Sequence, residues 1–175
     1  MQNNQQQEQK KIGTMMIAFM WLVIFGLLGV FFSDQLDKQN NPNQSLNTNV
    51  STDGIKTLVL QRNRYGHYIS NGSINHIPVV FMLDTGATDV SIPEEIALKL
   101  KLEQGPSAIY QTANGPVKVS LTRLAHVSLG DISLSDVRAT INPGFQGDEI
   151  LLGMSFLKHL EFTQRGDQLT LKQYP

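Results

Sequence analysis

The stretch Ile77-Pro-Val-Val-Phe-Met-Leu-Asp84-Thr85-Gly86-Ala87-Thr88 decides how this chain is read. Ile77 to Leu83 is a nearly continuous apolar run, the pattern of a buried strand, with Pro78 tolerated near its start. The strand runs directly into Asp84-Thr85-Gly86, which sets one carboxylate at the mouth of a sheet. Gly86 lets the backbone bend and approach a ligand closely, and the Thr85 hydroxyl can lock the loop. The tripeptide by itself is a weak signal: at average composition it turns up by chance in roughly a few per cent of chains this long. The plain alternative is an acid that only caps a β-turn.

Working outward, the pattern is one of short strands. Thr57 to Gln61 reads as a strand followed by a turn at Arg62–Gly66, and His67–Ser70 precedes Asn71-Gly72, a hairpin signal. Downstream, Pro93–Leu102 reads as a short helix, with Pro93 in its first turn, Glu94 and Glu95 at its positive end, and Ile96 and Leu100 on one face. Ala108–Gln111 and Val117–Leu121 flank Thr112-Ala-Asn-Gly-Pro, a second hairpin. Leu124–Leu129, Ile132–Leu134 and Val137–Ile141 continue the rhythm, with Gly130-Asp131 as a turn. Gly153–Phe162 can form a helix, and Arg165-Gly-Asp167 joins two last strands; an adhesion tripeptide is the less economical reading of that turn. Short strands with turns every 8–12 residues mean a compact β domain, here 55–175.

Upstream the chemistry changes. Ile12 to Phe32 is an uncharged, mostly apolar run of 21 residues, which as a helix spans about 31 Å, the thickness of a hydrocarbon core. A cleaved signal peptide is the rival reading, but its apolar region is shorter and ends in small residues, whereas this run closes on Val30-Phe-Phe-Ser33. The sequence therefore predicts a polar tail at 1–11, a transmembrane helix at 12–32 and an amide-rich flexible linker at 33–54, whose reach is about 25 Å. Lys10 and Lys11 precede the run and Lys38 follows it, a bias that keeps the N-terminus in the cytoplasm. The folded domain is then expected on the periplasmic or equivalent outer side of the inner membrane.

The 175-residue chain has a net charge of −1, which gives no basis for capturing nucleic acid. With no cysteine, disulfides, thiolate metal sites and cysteine nucleophiles are excluded. His67, His76, His126 and His159 never fall at ligand-like spacing, so no metal or other cofactor is expected. His126 and His159 show no partner in the sequence.

Phe81-Met-Leu-Asp-Thr-Gly-Ala-Thr88 resembles the active-site loop of retropepsin-like aspartic proteases, a family that includes small bacterial members with an anchor helix. Two further elements support the resemblance. Ile150-Leu-Leu-Gly-Met-Ser-Phe-Leu157 matches the family's late apolar pair, glycine and short helix, with Leu152 and Gly153 supporting the fold. Tyr110-Gln-Thr-Ala-Asn-Gly-Pro-Val117 occupies the place of the flap. The three occur in the family's order, and the resemblance covers about 55 to 171. It implies an all-β fold, a closed-barrel half of the acid-protease type with one or two short helices.

The resemblance also implies a mechanism: an aspartic endopeptidase uses two carboxylates that share one proton, one as base toward a water and the other as acid toward the carbonyl oxygen. Like charges held together drive their ionisations apart, and aspartic proteases are the standing example of that effect. Asp-Thr-Gly occurs once here, and Asp89, Asp131, Asp136, Asp148 and Asp167 lack the Thr-Gly context. The second acid is then Asp84 of another copy, in a symmetric homodimer. By the same resemblance Thr85 would bond across the dimer, Gly86 and Asp89 would contact the backbone of an extended peptide, and Ala87 and Thr88 would lie beside them. Tyr110, Ala113, Asn114 and Gly115 would face the peptide from the flap. For Tyr110 a packing role is equally open, and Asn114-Gly115 also reads as turn chemistry. Cleavage of the chain's own linker would release the domain. The competing reading is a catalytically weak dimeric peptide-binding module on the same fold, and a third is a small anchored structural protein whose Asp84 is only a turn residue.

Overall fold

The computed structural model describes residues 2–112 and 115–175, so Ala113 and Asn114 lie outside the described residues. The chain divides after Lys38 into two compact units. The first is helix α1, Gln2–Asn40, which runs past Lys38 to its last turn. Its stretch Met15–Asn40 contains a window of mean hydropathy 2.5, and the helix is long and apolar enough to cross a membrane. It extends beyond the apolar run at both ends. Ser33–Asn40 stays helical because the segment has no glycine or proline, and Pro42 then stops it by excluding the helical conformation at the residue before it.

The second unit, Gln39–Pro175, holds strands β1 (Thr48–Val50), β2 (Lys56–Gln61), β3 (Ile69–Ile74), β4 (Ile77–Leu83) and β5 (Val90–Pro93), then helix α2 (Glu94–Lys99). Strands β6 (Ser107–Thr112), β7 (Gly115–Leu129), β8 (Ile132–Asn142) and β9 (Glu149–Leu152) follow, then helix α3 (Met154–Leu157) and strands β10 (Glu161–Arg165) and β11 (Gln168–Gln173). A four-stranded antiparallel sheet runs β1-β2-β11-β10, and a seven-stranded sheet runs β3-β4-β9-β5-β8-β7-β6. The larger sheet closes on itself, because β3 also pairs with β7 at Ser73–Ser128 and Ile74–Val127. Two of its pairs are parallel, β4 with β9 and β5 with β8, and they bring Leu83 beside Leu152 and Val90 beside Ala139. This is the all-β closed half-fold expected from the sequence.

The core inside it is aliphatic and aromatic. Leu58, Leu60, Phe81, Ile92, Leu124, Ile150, Leu152, Phe156 and Leu171 are fully buried, each contributing about 1.5–3 kcal/mol by removal from water. Phe81 and Ile150, paired across β4 and β9, are among them, so the strands that end at the Asp84 loop and at Gly153 are fixed by the buried core.

Several sequence expectations shift. The flexible linker is corrected: beyond the helix end, Asn43 is 4 % exposed, its amide donates to the carbonyls of Gln61 (2.9 Å) and Ile69 (2.7 Å), and its oxygen accepts from Gln61 N–H (2.7 Å). A buried Asn offers the donor and acceptor set of a peptide group and fills a gap between strand ends. β1 then pairs with β2, Thr48 opposite Leu58. Asn71-Gly72 is not a hairpin turn but lies within β3; the turn is at Asn75-His76, whose φ values of 50° and 68° suit a tight hairpin. Gly72 is needed for close approach, since a Cβ there would lie 2.5 Å from the Ser128 carbonyl oxygen and 2.6 Å from the Phe81 ring. The two predicted helices are shorter than 93–102 and 153–162, because Pro93 ends β5 and Glu161 begins β10. Segments read as separate strands between 117 and 141 merge into two long ones, as Thr122-Arg123 and Ser135-Asp136 carry no chain reversal.

Candidate active site

Asp84 follows β4 without a break, and its N–H donates to the Leu152 carbonyl (3.2 Å), which prolongs the β4–β9 pairing by one residue. The half-buried carboxylate accepts from the Gly86 N–H at 2.8 Å. Ala87 N–H donates to the Asp84 carbonyl at 3.3 Å, so the loop folds back over its own acid. A Cβ at Gly86 would lie 3.1 Å from the Asp84 carboxylate oxygen, tighter than ordinary contact. Thr85 and Thr88 are exposed on this loop, and Ala87 is half-buried.

The floor beneath is gripped by the segment after β9. Met154 and Ser155 N–H groups donate to the carbonyls of Ala87 (2.8 Å) and Thr88 (2.9 Å). Gly153 makes this possible: a Cβ there would stand 2.3 Å from the Asp89 carbonyl oxygen and 2.6 Å from that of Ala87. Leu152 is fully buried. Ser155, which the sequence reading missed as a site residue, accepts from Val90 N–H (3.0 Å) and donates to the Arg138 carbonyl (2.7 Å). The Gly-Met-Ser context was its one sequence signal.

The roof is the β6–β7 hairpin, in which Thr112 faces Gly115 and its hydroxyl donates to the Gly115 carbonyl (2.7 Å). Gly115 has φ 105°, a turn conformation that suits glycine. On the inward side of β6, Tyr110 donates its hydroxyl to Asp89 Oδ2. Asp89 Oδ1 accepts from Arg138 Nε at 2.7 Å. Asp89, expected at the peptide, does line the groove, with its side chain 1 % exposed and both oxygens engaged by Tyr110 and Arg138. The Tyr110 phenol is held above its ordinary pKa, mainly by the hydrogen bond to Asp89 and further by burial and the Asp89 charge. Arg138 is raised for the same leading reason.

Between floor and roof lies a groove of about 600 Å³. Asp84 and Gly86 line it from below and Tyr110, Gly115 and Val117 from above, with Phe145 and Leu151 adding apolar wall. A second hollow of about 590 Å³, lined by Lys101, Leu102, Arg123 and Ala125 among others, does not include Asp84. Of the two, only the groove beneath the hairpin holds the Asp84 carboxylate. Among the described residues no three His, Asp or Glu side chains converge as a metal site. His126, partnerless in the sequence, stacks on His76 with ring centroids 4.9 Å apart, and His159 is exposed. Arg165-Gly-Asp167 is the β10–β11 turn, with Asp167 paired to Arg62 at 2.7 Å.

Residues 70–159, just over half of the chain, match the family described as gag-polyprotein putative aspartyl protease. Among curated proteins, an uncharacterized protein in the cobV 5' region of Sinorhizobium sp is 31% identical over 125 residues, covering 69% of this chain and 54% of its own. An uncharacterized protein of Rickettsia prowazekii (strain Madrid E) is 28% identical over 123 residues, covering 69% and 52%. The chain thus spans about half the length of these two relatives. Among solved structures, a retropepsin-like aspartic protease from Rickettsia conorii aligns with TM-score 0.56 and 28% identity over 74% of this chain and 95% of that one. EIAV protease complexed with the inhibitor HBY-793 aligns with TM-score 0.46 and 19% identity over 57% and 92%. With the Asp84 loop, the roof hairpin and the Gly153 grip all in one closed half-barrel, the chain belongs to the retropepsin-like aspartic protease family.

Proposed function

We propose that this protein is a membrane-anchored aspartic endopeptidase that works as a homodimer. The observation that carries the reading is a single family-type carboxylate, Asp84, at the lip of a groove roofed by a β-hairpin. One carboxylate can act as base or as acid but not as both at once, so peptide hydrolysis calls for Asp84 from two copies about a two-fold axis. One deprotonates the attacking water while the other gives its proton to the carbonyl oxygen. Thr85, exposed beside Asp84, is positioned to steady the partner loop. The substrate is an extended peptide whose backbone pairs with the loop and roof, and whose apolar side chains meet Val117, Phe145 and Leu151.

Helix α1 is the anchor, and two anchored copies share a surface that raises their effective concentration. The lysine bias supports a reading with the protease domain on the outer side of the cell membrane. Self-cleavage within 33–54 has little support, since the segment is helical to Asn40 and held by Asn43 and β1 beyond it, whereas the groove takes extended backbone.

The test uses the full chain in detergent micelles with a mixed peptide pool from acidic to neutral pH, beside Asp84→Asn. The parent should cleave, with a rate rising faster than linearly in enzyme, and the variant should be at least about 100-fold slower. Equal cleavage by both forms, or peptide binding without turnover at any pH, would overturn the reading, and the second result would favour a binding module.

A further inference from the structure

The β6–β7 hairpin is the outer edge of the seven-stranded sheet, where among the described residues β6 pairs with β7 alone. Yet its inward-facing Tyr110 is bonded to Asp89, 21 positions earlier, at the end of the Asp84 loop. Asp89 is in turn held by Arg138 of β8, which arrives there because β5 and β8 pair in parallel with Val90 beside Ala139. A carboxylate with a side chain 1 % exposed is costly unless a charge and hydrogen bonds compensate it. Arg138 supplies the charge and one bond, and Tyr110 supplies the bond to the other oxygen. Arg138 is itself 55 % exposed and does not line the groove.

We propose that Tyr110, Asp89 and Arg138 form a latch that holds the roof over Asp84, with Arg138 as a positioning residue acting from outside the groove. The inference deepens the protease reading, on which it rests for the meaning of the roof. Because Asp89 and Tyr110 satisfy each other, they set the height of the roof rather than select the peptide, and an entering substrate must part them. Arg138 fixes the acid in the one orientation that offers Oδ2 upward. Loss of the Tyr110 hydroxyl frees the roof and leaves the floor intact, whereas loss of the Arg138 charge loosens the acid first and the roof through it.

Hydrogen exchange on the full chain in detergent micelles tests this without substrate. Tyr110→Phe and Arg138→Gln should each speed exchange of peptides covering 107–119 by about tenfold, the equilibrium effect of losing a hydrogen bond to a charged group. Peptides covering 56–61 and 168–173, in the other sheet, should be unchanged. Arg138→Lys, which keeps the charge, should restore part of the protection. Unchanged exchange at 107–119 in Tyr110→Phe, or faster exchange throughout the domain in Arg138→Gln without recovery in Arg138→Lys, would overturn the latch. Either failure is distinct from failure of the protease reading, because Asp84-dependent cleavage is scored separately.

Discussion

The floor and the roof of the groove are built in opposite ways. Beneath Asp84, the Ala87–Asp89 backbone is clasped by the N–H groups of Met154 and Ser155, and Gly153 lies so close to it that no β-carbon would fit there. Above it, the hairpin meets the floor through the Tyr110–Asp89 side-chain bond. Backbone clasped by backbone has one arrangement, whereas a side-chain bond has a broken state only a few kcal/mol away. The proposed cleavage of extended peptides calls for both: an acid held to within a fraction of an ångström and a cover that lifts.

That contrast can be broken first at its tightest point. Gly153→Ala brings a methyl to 2.3 Å from the Asp89 carbonyl oxygen, a contact with main chain that cannot swing away. It should cost about 3 kcal/mol in denaturant unfolding and abolish cleavage by displacing the Asp84 loop; unchanged stability would mean that the floor yields. Ser155→Ala strips the acceptor from the buried Val90 N–H and should cost about 1–3 kcal/mol. If it is neutral in the same unfolding assay, the floor does not depend on that bond.

The roof offers a gentler test through pH. The Tyr110 phenol is raised when folded, chiefly by its bond to Asp89, so its contribution is complete below the ordinary tyrosine range and is lost as pH rises through the raised value. Difference absorbance between the parent and Tyr110→Phe should reveal a tyrosine that ionises later than an exposed one. Ionisation at or below the ordinary range would contradict the bond.

Much of this was legible in the chain. An apolar strand ending in Asp84-Thr85-Gly86, a hairpin around Gly115 and an apolar pair before Gly153 are local patterns, and each lies where local reading puts it. What escaped depends on distance in the sequence. Gly72 reads as a turn residue, yet it is glycine because Phe81 and the Ser128 carbonyl press on it. Asn43 reads as part of a solvated amide-rich linker, and its partners Gln61 and Ile69 appear only when β2 and β3 are in place. Asp89 shares the loop with Asp84 and so reads as a peptide contact, while its partners stand 21 and 49 positions away.

The central claim is that two copies of Asp84 make one catalytic centre. Co-expression of the parent with Asp84→Asn in equal amounts, with total protein held constant, tests it most directly. Random pairing leaves about a quarter of dimers with both acids, so activity should fall to about a quarter of the parent's. A fall to only about one half would mean that each chain cleaves with its own acid alone, and the dimeric centre would be wrong.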